Sequence, residues 1–230
     1  MDIERFCCNI LYENCWLAST QKACVLVDPG AYGPDELAPI LRSLGGRVPD
    51  AILLTHGHFD HTLGVKPLQD LWPDVPVYMG PEDKVVLETD DTYARGIGLK
   101  GGDFSFRWLP VKDGQTLTFG DMEFRVITTP GHTPGGVCWY CEKEGVVFTG
   151  DTLFADAIGR TDFGYGDYDD EIRSIMEKLI LLPGSTDVYP GHGRTTTIGR
   201  ERTSNPFLEP FNEPGETFGE DLPGIELHGI

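Results

Sequence analysis

The sequence predicts an α/β fold in which two β layers are flanked by helices. In the first half, short apolar runs such as 51–54 alternate with a segment of helical periodicity at 34–44. The second half is rich in consecutive strand patterns and contains an amphipathic stretch at 168–182. Because each half offers strands followed by a helix, a β core covered by helices accommodates all of these apolar stripes.

Length and composition are those of a globular protein with a full hydrophobic core. The 230 residues are 40% hydrophobic and 24% charged, and no apolar run reaches 18 residues. The acidic start, Met1–Phe6, is unlike a secretory signal, so we expect a cytoplasmic protein with reduced thiols. The net charge of −19 repels phosphate backbones. We therefore expect no nucleic-acid or membrane partner, and leave a homo-oligomer open.

In the first half, strands and helices alternate. Strands at 9–18 and 23–28 are expected to pair antiparallel, and a helix at 34–44 stops at Gly45-Gly46. A buried strand at 51–54 follows, then a helix from Asp60 and a strand at 75–79.

The second half begins with a glycine-rich loop at 96–102. This loop is either a plain connector or a mobile flap that offers Arg95 or Lys100 to an anionic substrate. The remaining elements are a helix at 168–182 and strands at 106–111, 115–119, 122–128, 136–140, 145–149 and 187–189.

The chain is predicted to have two parts, a catalytic domain at 1–205 and a C-terminal arm at 206–230. The arm is rich in Pro, Gly and Glu, but it keeps aromatic residues that a disordered tail would lack. We expect it to pack on its own domain or on a partner subunit.

Cys138 and Cys141 form a C-x-x-C sequence, but it lies in a predicted strand. Residues i and i+3 of a strand point to opposite faces, so the two thiols cannot act together. Small buried core residues are the favoured interpretation.

The segment 53–62 carries the densest chemistry in the chain. Three of the six histidines, His56, His58 and His61, lie beside Asp60 directly after a predicted buried strand. Side chains at the end of such a strand are commonly functional in α/β folds. Imidazoles and a carboxylate at this density suit Zn, Fe or Mn.

Further ligand-type residues follow other predicted strands. His132 and His192 each stand on a Pro-Gly turn at a strand end, and Asp151 follows Gly150 in the same way. A lone aspartate after glycine is more often a turn residue, but convergence of several strand ends favours one site. His228 fits no pattern. Seven candidate ligands are more than one tetrahedral ion can bind, and they suit two ions that share a carboxylate. They are His56, His58, Asp60, His61, His132, Asp151 and His192.

These motifs resemble the metallo-β-lactamase superfamily. The sequences of segments 150–154, 158–162 and 190–193 are similar to those of the glyoxalase II-like hydrolases, in the short form without the C-terminal helical domain. The resemblance spans residues 9 to about 208. It implies a four-layer αβ/βα sandwich with the metals at one edge of the sheets.

The resemblance also implies roles for the ligand residues. His56, His58 and His132 would bind the first ion, Asp60, His61 and His192 the second, and Asp151 would bridge them. Asp60 would also orient the nucleophile, and Asp28, Thr55 or Thr152 would fix the imidazoles.

The implied reaction is hydrolysis of a hydroxyacyl thioester, such as S-lactoylglutathione, by a metal-bridging hydroxide. This reaction would use two divalent metal ions per chain, with zinc as the favoured metal and iron or manganese as alternatives. Arg160 is the local candidate for binding a substrate carboxylate, with a structural salt bridge as the alternative. The competing function is a persulfide dioxygenase with one iron on His56, His132 and Asp151. Lactonase or other ester hydrolysis also stays open.

Overall fold

The computed structural model describes residues 1–96 and 102–209. Within them, two mixed six-stranded sheets face each other, and a two-stranded hairpin lies beside the second. The predictions for a flap at 96–102 and an arm at 206–230 fall largely on residues outside the described part. Of the arm, residues 206–209 are described, and Leu208 is fully buried.

The first sheet has its strands in sequence order. They are β1 (Asp2–Cys8), β2 (Glu13–Ser19), β3 (Cys24–Val27), β4 (Ala51–Leu53), β5 (Val77–Met79) and β6 (Leu109–Pro110). The first three strands pair antiparallel, and β3 to β6 pair parallel. The parallel connections run through α1 (Pro34–Leu44), α2 (Phe59–Thr62), α3 (Val65–Leu71) and α4 (Lys84–Gly96).

The strands of the second sheet are β7 (Thr116–Phe119), β8 (Met122–Thr128), β9 (Val137–Cys141), β10 (Val146–Gly150), β13 (Asp187–Pro190) and β14 (Thr196–Thr197). Across the sheet they lie in the order β14-β13-β10-β9-β8-β7. The hairpin is β11 (Leu153–Phe154) with β12 (Ala157–Ile158), and the helices are α5 (Tyr168–Ser174) and α6 (Ile198–Ser204).

Most buried apolar residues of the described part form three layers of core, which confirms the predicted four-layer αβ/βα sandwich. One cluster joins α1 and α3 to the outer face of the first sheet, and it includes Ile40, Leu68 and Leu26. A second lies between the sheets, and a third joins α5 to the outer face of the second sheet. Alternate residues of β3 serve different layers, since Leu26 faces the helices and Val27 faces the other sheet.

The C-x-x-C pair is divided between two of these layers. Cys138 packs in the layer beneath α5, whereas Cys141 packs between the sheets, and both are buried. Their interpretation as core residues on opposite faces is confirmed.

Several predicted boundaries are wrong. The strand predicted at 9–18 begins only at Glu13, because Asn9 and Tyr12 adopt positive φ angles of 48° and 59° in a turn after β1. The strand predicted at 106–111 is reduced to β6. The helix predicted at 168–182 is α5 followed by a π-helical turn, Ile175–Leu179. The helix predicted from Asp60 is two short helices, α2 and α3.

Candidate metal centre

Four strand ends meet at one edge of the two sheets. The histidine-rich motif lies in the loop after β4 and in α2, and His132 lies in the turn after β8. Asp151 directly follows β10, and His192 lies two residues after the end of β13. This edge therefore brings together all seven residues predicted from the sequence.

The first group consists of His56, His58 and His132. One ligand atom from each lies within 4.8 Å of the others. All three side chains are buried, and Nδ1 of His58 is 3.0 Å from Nε2 of His132. Three converging nitrogens of this kind can bind a transition metal.

The second group consists of Asp60, His61 and His192, with the same spacing limit of 4.8 Å. Nε2 of His192 lies 3.3 Å from Oδ2 of Asp60, and Nε2 of His61 lies 3.8 Å from the same oxygen. One carboxylate and two imidazoles thus face a common point.

Asp151 lies between the two groups. Its Oδ1 is 3.3 Å from Nε2 of His61, and its Oδ2 is 3.6 Å from Nε2 of both His132 and His192. One carboxylate therefore approaches members of both groups, which is the geometry that a shared ligand requires.

The outer nitrogen of each histidine has its own partner. Three histidines pair with side chains: Nδ1 of His56 with Thr55 Oγ1 at 3.0 Å, Nε2 of His58 with Tyr165 Oη at 2.6 Å, and Nδ1 of His61 with Asp28 Oδ2 at 3.0 Å. The other two pair with backbone carbonyls: Nδ1 of His132 with that of Arg160 at 2.7 Å, and Nδ1 of His192 with that of Leu11 at 3.1 Å. Such contacts fix ring orientation, and they direct the other nitrogen of each ring into the site.

Asp28 organises the loop after β4. Its Oδ1 accepts the Thr55 N–H at 2.7 Å, and its Oδ2 accepts the Thr55 hydroxyl at 2.6 Å. Asp28 is buried and has a φ of 47°, which is strained for a residue other than glycine. Although its carboxylate also lies near His56 and His61, these hydrogen bonds give it an orienting role.

Position 191 requires glycine because its backbone lies very close to the side chains of Asp151 and His61. A Cβ at this position would lie 2.3 Å from Oδ1 of Asp151 and 2.6 Å from Cε1 of His61. The Pro-Gly turn therefore allows the end of β13 to reach the site without a side chain filling it.

The electrostatics separate the two groups. Burial lowers the pKa of His58 to about 3 and also lowers the pKa values of His56 and His132. These rings are neutral at pH 7, with lone pairs free to bind a metal. Burial also lowers the pKa of His61, but the carboxylates of Asp151 and Asp60 outweigh it and raise that pKa well above its usual value.

The donor set fits a metal centre. Nε2 of His56, Nε2 of His61 and Oδ1 of Asp151 are buried without a hydrogen-bond partner among the described residues. Buried polar atoms without partners are costly. All three face the site, where divalent ions would satisfy them.

Of the three residues expected to fix the imidazoles, Thr55 pairs with His56 and Asp28 pairs with His61. The Thr152 hydroxyl instead lies 3.0 Å from the hydroxyl of Thr129. Arg160 is exposed, and its guanidinium pairs with Asp162 at 2.9 and 3.0 Å. His228 is outside the described residues.

Several residues near the site were not predicted from the sequence, among them Tyr165, Glu171 and Glu13. Tyr165 binds His58, Glu171 accepts the His132 N–H at 2.8 Å, and Glu13 is fully buried 4.0 Å from His61. None stands in a histidine motif, and their contacts depend on the folding of distant segments.

Comparison with known proteins gives the class of this chain. The family model described as the metallo-beta-lactamase superfamily matches residues 9–192. The chain belongs to the metallo-β-lactamase superfamily. It is a metallo-hydrolase of that superfamily by sequence, and its four-layer fold agrees.

Individual relatives are similar over nearly their whole length. The hydroxyacylglutathione hydrolase GloC of Haemophilus influenzae is 36% identical over 90% of this chain and 98% of its own. The crystal structure of TTHA1623 in a di-iron-bound form is 39% identical, with a TM-score of 0.80 over 89% of this chain and 100% of that one. The B3 metallo-beta-lactamase BLEG-1 is 35% identical, with a TM-score of 0.78 over 90% and 99%.

The described residues contain no helix that is both long and apolar enough to cross a lipid bilayer.

Proposed function

We propose that this chain is a binuclear metallohydrolase that cleaves a hydroxyacyl thioester of the S-lactoylglutathione type. The observation that carries the proposal is the place of Asp151, whose two oxygens approach His61 on one side and His132 and His192 on the other. A carboxylate shared between two ligand groups favours two ions over one.

We assign the first ion to His56, His58 and His132 and the second to Asp60, His61 and His192, with Asp151 bridging. The neutral imidazoles of the first group and the mixed imidazole and carboxylate donors of the second suit Zn, with Fe or Mn as alternatives. The di-iron-bound relative supports iron as the main competitor. Two bound divalent ions supply a water acidic enough to yield hydroxide at neutral pH and a Lewis acid for the substrate carbonyl.

The protein's own groups prepare the attack. Although burial would raise the pKa of Asp60, His61 and the contact with His192 lower it, so this carboxylate is ionised at pH 7. An ionised Asp60 accepts a hydrogen bond from the attacking nucleophile and orients it towards the carbonyl. Asp28 and the Leu11 carbonyl keep His61 and His192 in register beside it.

A thioester suits this site better than an amide. The leaving thiolate corresponds to a thiol with a pKa of about 8.5, so it departs with little acid assistance. Similarity to a hydroxyacylglutathione hydrolase supports the acyl and thiol classes. Arg160 is proposed to bind a substrate carboxylate, in competition with Asp162.

The test combines metal content with a substrate panel. We expect about two ions per chain by mass spectrometry, together with hydrolysis of S-lactoylglutathione that exceeds hydrolysis of a simple ester or a β-lactam. One iron per chain, with oxygen uptake on glutathione persulfide and no thioester hydrolysis, would replace the proposal with the dioxygenase. A fully loaded protein that hydrolyses nothing in the panel would also overturn it.

A further inference from the structure

Asp83 connects the two loops that carry the first ligand group. It ends a short 3₁₀ turn, Pro81–Asp83, between β5 and α4, and it is fully buried. Its Oδ2 accepts the Gly57 N–H at 2.7 Å and the Thr133 hydroxyl at 2.9 Å, and its Oδ1 accepts the Gly135 N–H at 2.5 Å.

The partners of Asp83 are neighbours of ligand residues in sequence. Gly57 stands between His56 and His58, and Thr133 follows His132. One carboxylate therefore holds the loop after β4 and the turn after β8 at a fixed separation. Hydrogen bonds to an ionised acceptor are about twice as strong as neutral ones, so this connection is rigid.

The fit around Asp83 is close. A Cβ at Gly135 would lie 2.4 Å from the Asp83 backbone nitrogen and 2.8 Å from its Oδ1. The carboxylate reaches the Gly135 N–H because position 135 has no side chain.

We propose that Asp83 is a positioning residue that sets the geometry of the first metal group by joining the His56–His58 loop to the His132 turn. Its carboxylate accepts hydrogen bonds from two backbone N–H groups and from the Thr133 hydroxyl, so its effect reaches the metal through the backbone. This inference rests on the metal assignment of the proposed function.

The second group depends on other contacts. His61 is held by Asp28, His192 by the Leu11 carbonyl, and the Asp60 carbonyl accepts the Asn9 side-chain amide at 2.8 Å. A substitution at Asp83 should therefore weaken binding of the first ion and leave binding of the second ion unchanged. A substitution that merely destabilised the whole fold would weaken binding of both ions.

The matched substitution is Asp83→Asn. The amide has the same shape, but its NH₂ group would face a donor, either the Gly135 N–H or the pair formed by Gly57 and Thr133. To separate the sites, Asp83→Asn is combined with His192→Ala, which leaves the first group intact, and with His132→Ala, which leaves the second. Each metal-free protein is titrated with Zn²⁺ and with Co²⁺, whose visible spectrum reports coordination.

We expect Asp83→Asn to weaken binding about 10- to 100-fold in the His192→Ala background, as for partners that orient metal ligands. In the His132→Ala background we expect a change of less than about threefold. The control is Asp50→Asn, since Asp50 also accepts a backbone N–H, from Cys24 at 2.8 Å, but at the opposite end of β4.

Equal losses in both backgrounds, or no loss in either, would overturn the positioning role. The proposed function fails separately, if the protein without substitutions does not bind two ions.

Discussion

The phenolic oxygen of Tyr165 lies 2.6 Å from Nε2 of His58, although 107 residues separate them in sequence. The other nitrogen of the same ring, Nδ1, faces Nε2 of His132. Tyr165 also stacks on Phe163, with ring centroids 5.9 Å apart. The loop after β12 therefore holds His58 by a side chain and His132 by the Arg160 carbonyl.

Replacing Tyr165 with Phe tests this contact. The ring and its stacking are retained while the hydroxyl is lost, so the imidazole of His58 is less well oriented. We expect metal affinity of the first group to fall about tenfold, measured by titration of the metal-free protein. Tyr168→Phe serves as the control, because that side chain is about half exposed at 47%. Equal affinity in both variants would assign Tyr165 to packing alone.

Sequence patterns were sufficient for some elements of the fold and not for others. Helix α1 has the predicted bounds, because its apolar spacing is helical, Pro34 suits the first turn and Gly45 takes a left-handed conformation at the end. Strand β1 was missed because only Phe6 and Cys8 of its residues are buried. An edge strand with one covered face carries little hydrophobic signal.

The same contrast holds at the site. His132, Asp151 and His192 were predictable, since each is a ligand-type residue placed by a turn at a strand end. The partners of their outer nitrogens include the carbonyls of Leu11 and Arg160. A backbone carbonyl is present at every residue, so sequence gives no sign of which one will accept the bond.

Asp60→Ala tests the proposed mechanism. The substitution removes the carboxylate that faces His61 and His192, and with it both a ligand and the group that orients the nucleophile. We expect turnover of S-lactoylglutathione to fall at least about 100-fold, with one ion lost per chain and an unchanged circular dichroism spectrum. Asp121→Ala is the control, since Asp121 accepts the Thr20 hydroxyl on the surface. An unaltered rate would remove Asp60 from the mechanism.

Asp83 gives the stability a defined pH dependence. Burial raises the pKa of Asp83 from its usual 3.8 to about 6, despite its three donors, and the nearby Glu82 acts in the same direction. Between these values the folded protein retains a proton that the unfolded chain releases. The free energy of unfolding should therefore fall as the pH rises from about 4 to about 6, by up to about 3 kcal/mol, and this contribution should level off above that range.

Urea unfolding of the metal-free protein and of Asp83→Asn at several pH values measures this effect. The difference between the two unfolding free energies cancels the titration of all other groups. We expect the unfolding free energy of the unsubstituted protein to fall relative to that of Asp83→Asn as the pH rises from about 4 to about 6. A difference that stays constant with pH would show that Asp83 has its usual pKa.

Arg160 is the last group whose role can be decided by substitution. Its guanidinium is exposed, pairs with Asp162 and lies 4.9 Å from the Phe163 ring centre. If it binds a substrate carboxylate, Arg160→Ala should raise KM about tenfold with little change in kcat, because binding is lost equally in the ground and transition states. Asp162→Ala should then lower KM, since it removes a carboxylate that competes with the substrate for the guanidinium. If neither substitution changes KM for S-lactoylglutathione, the ion pair is structural, and the substrate carboxylates are bound elsewhere.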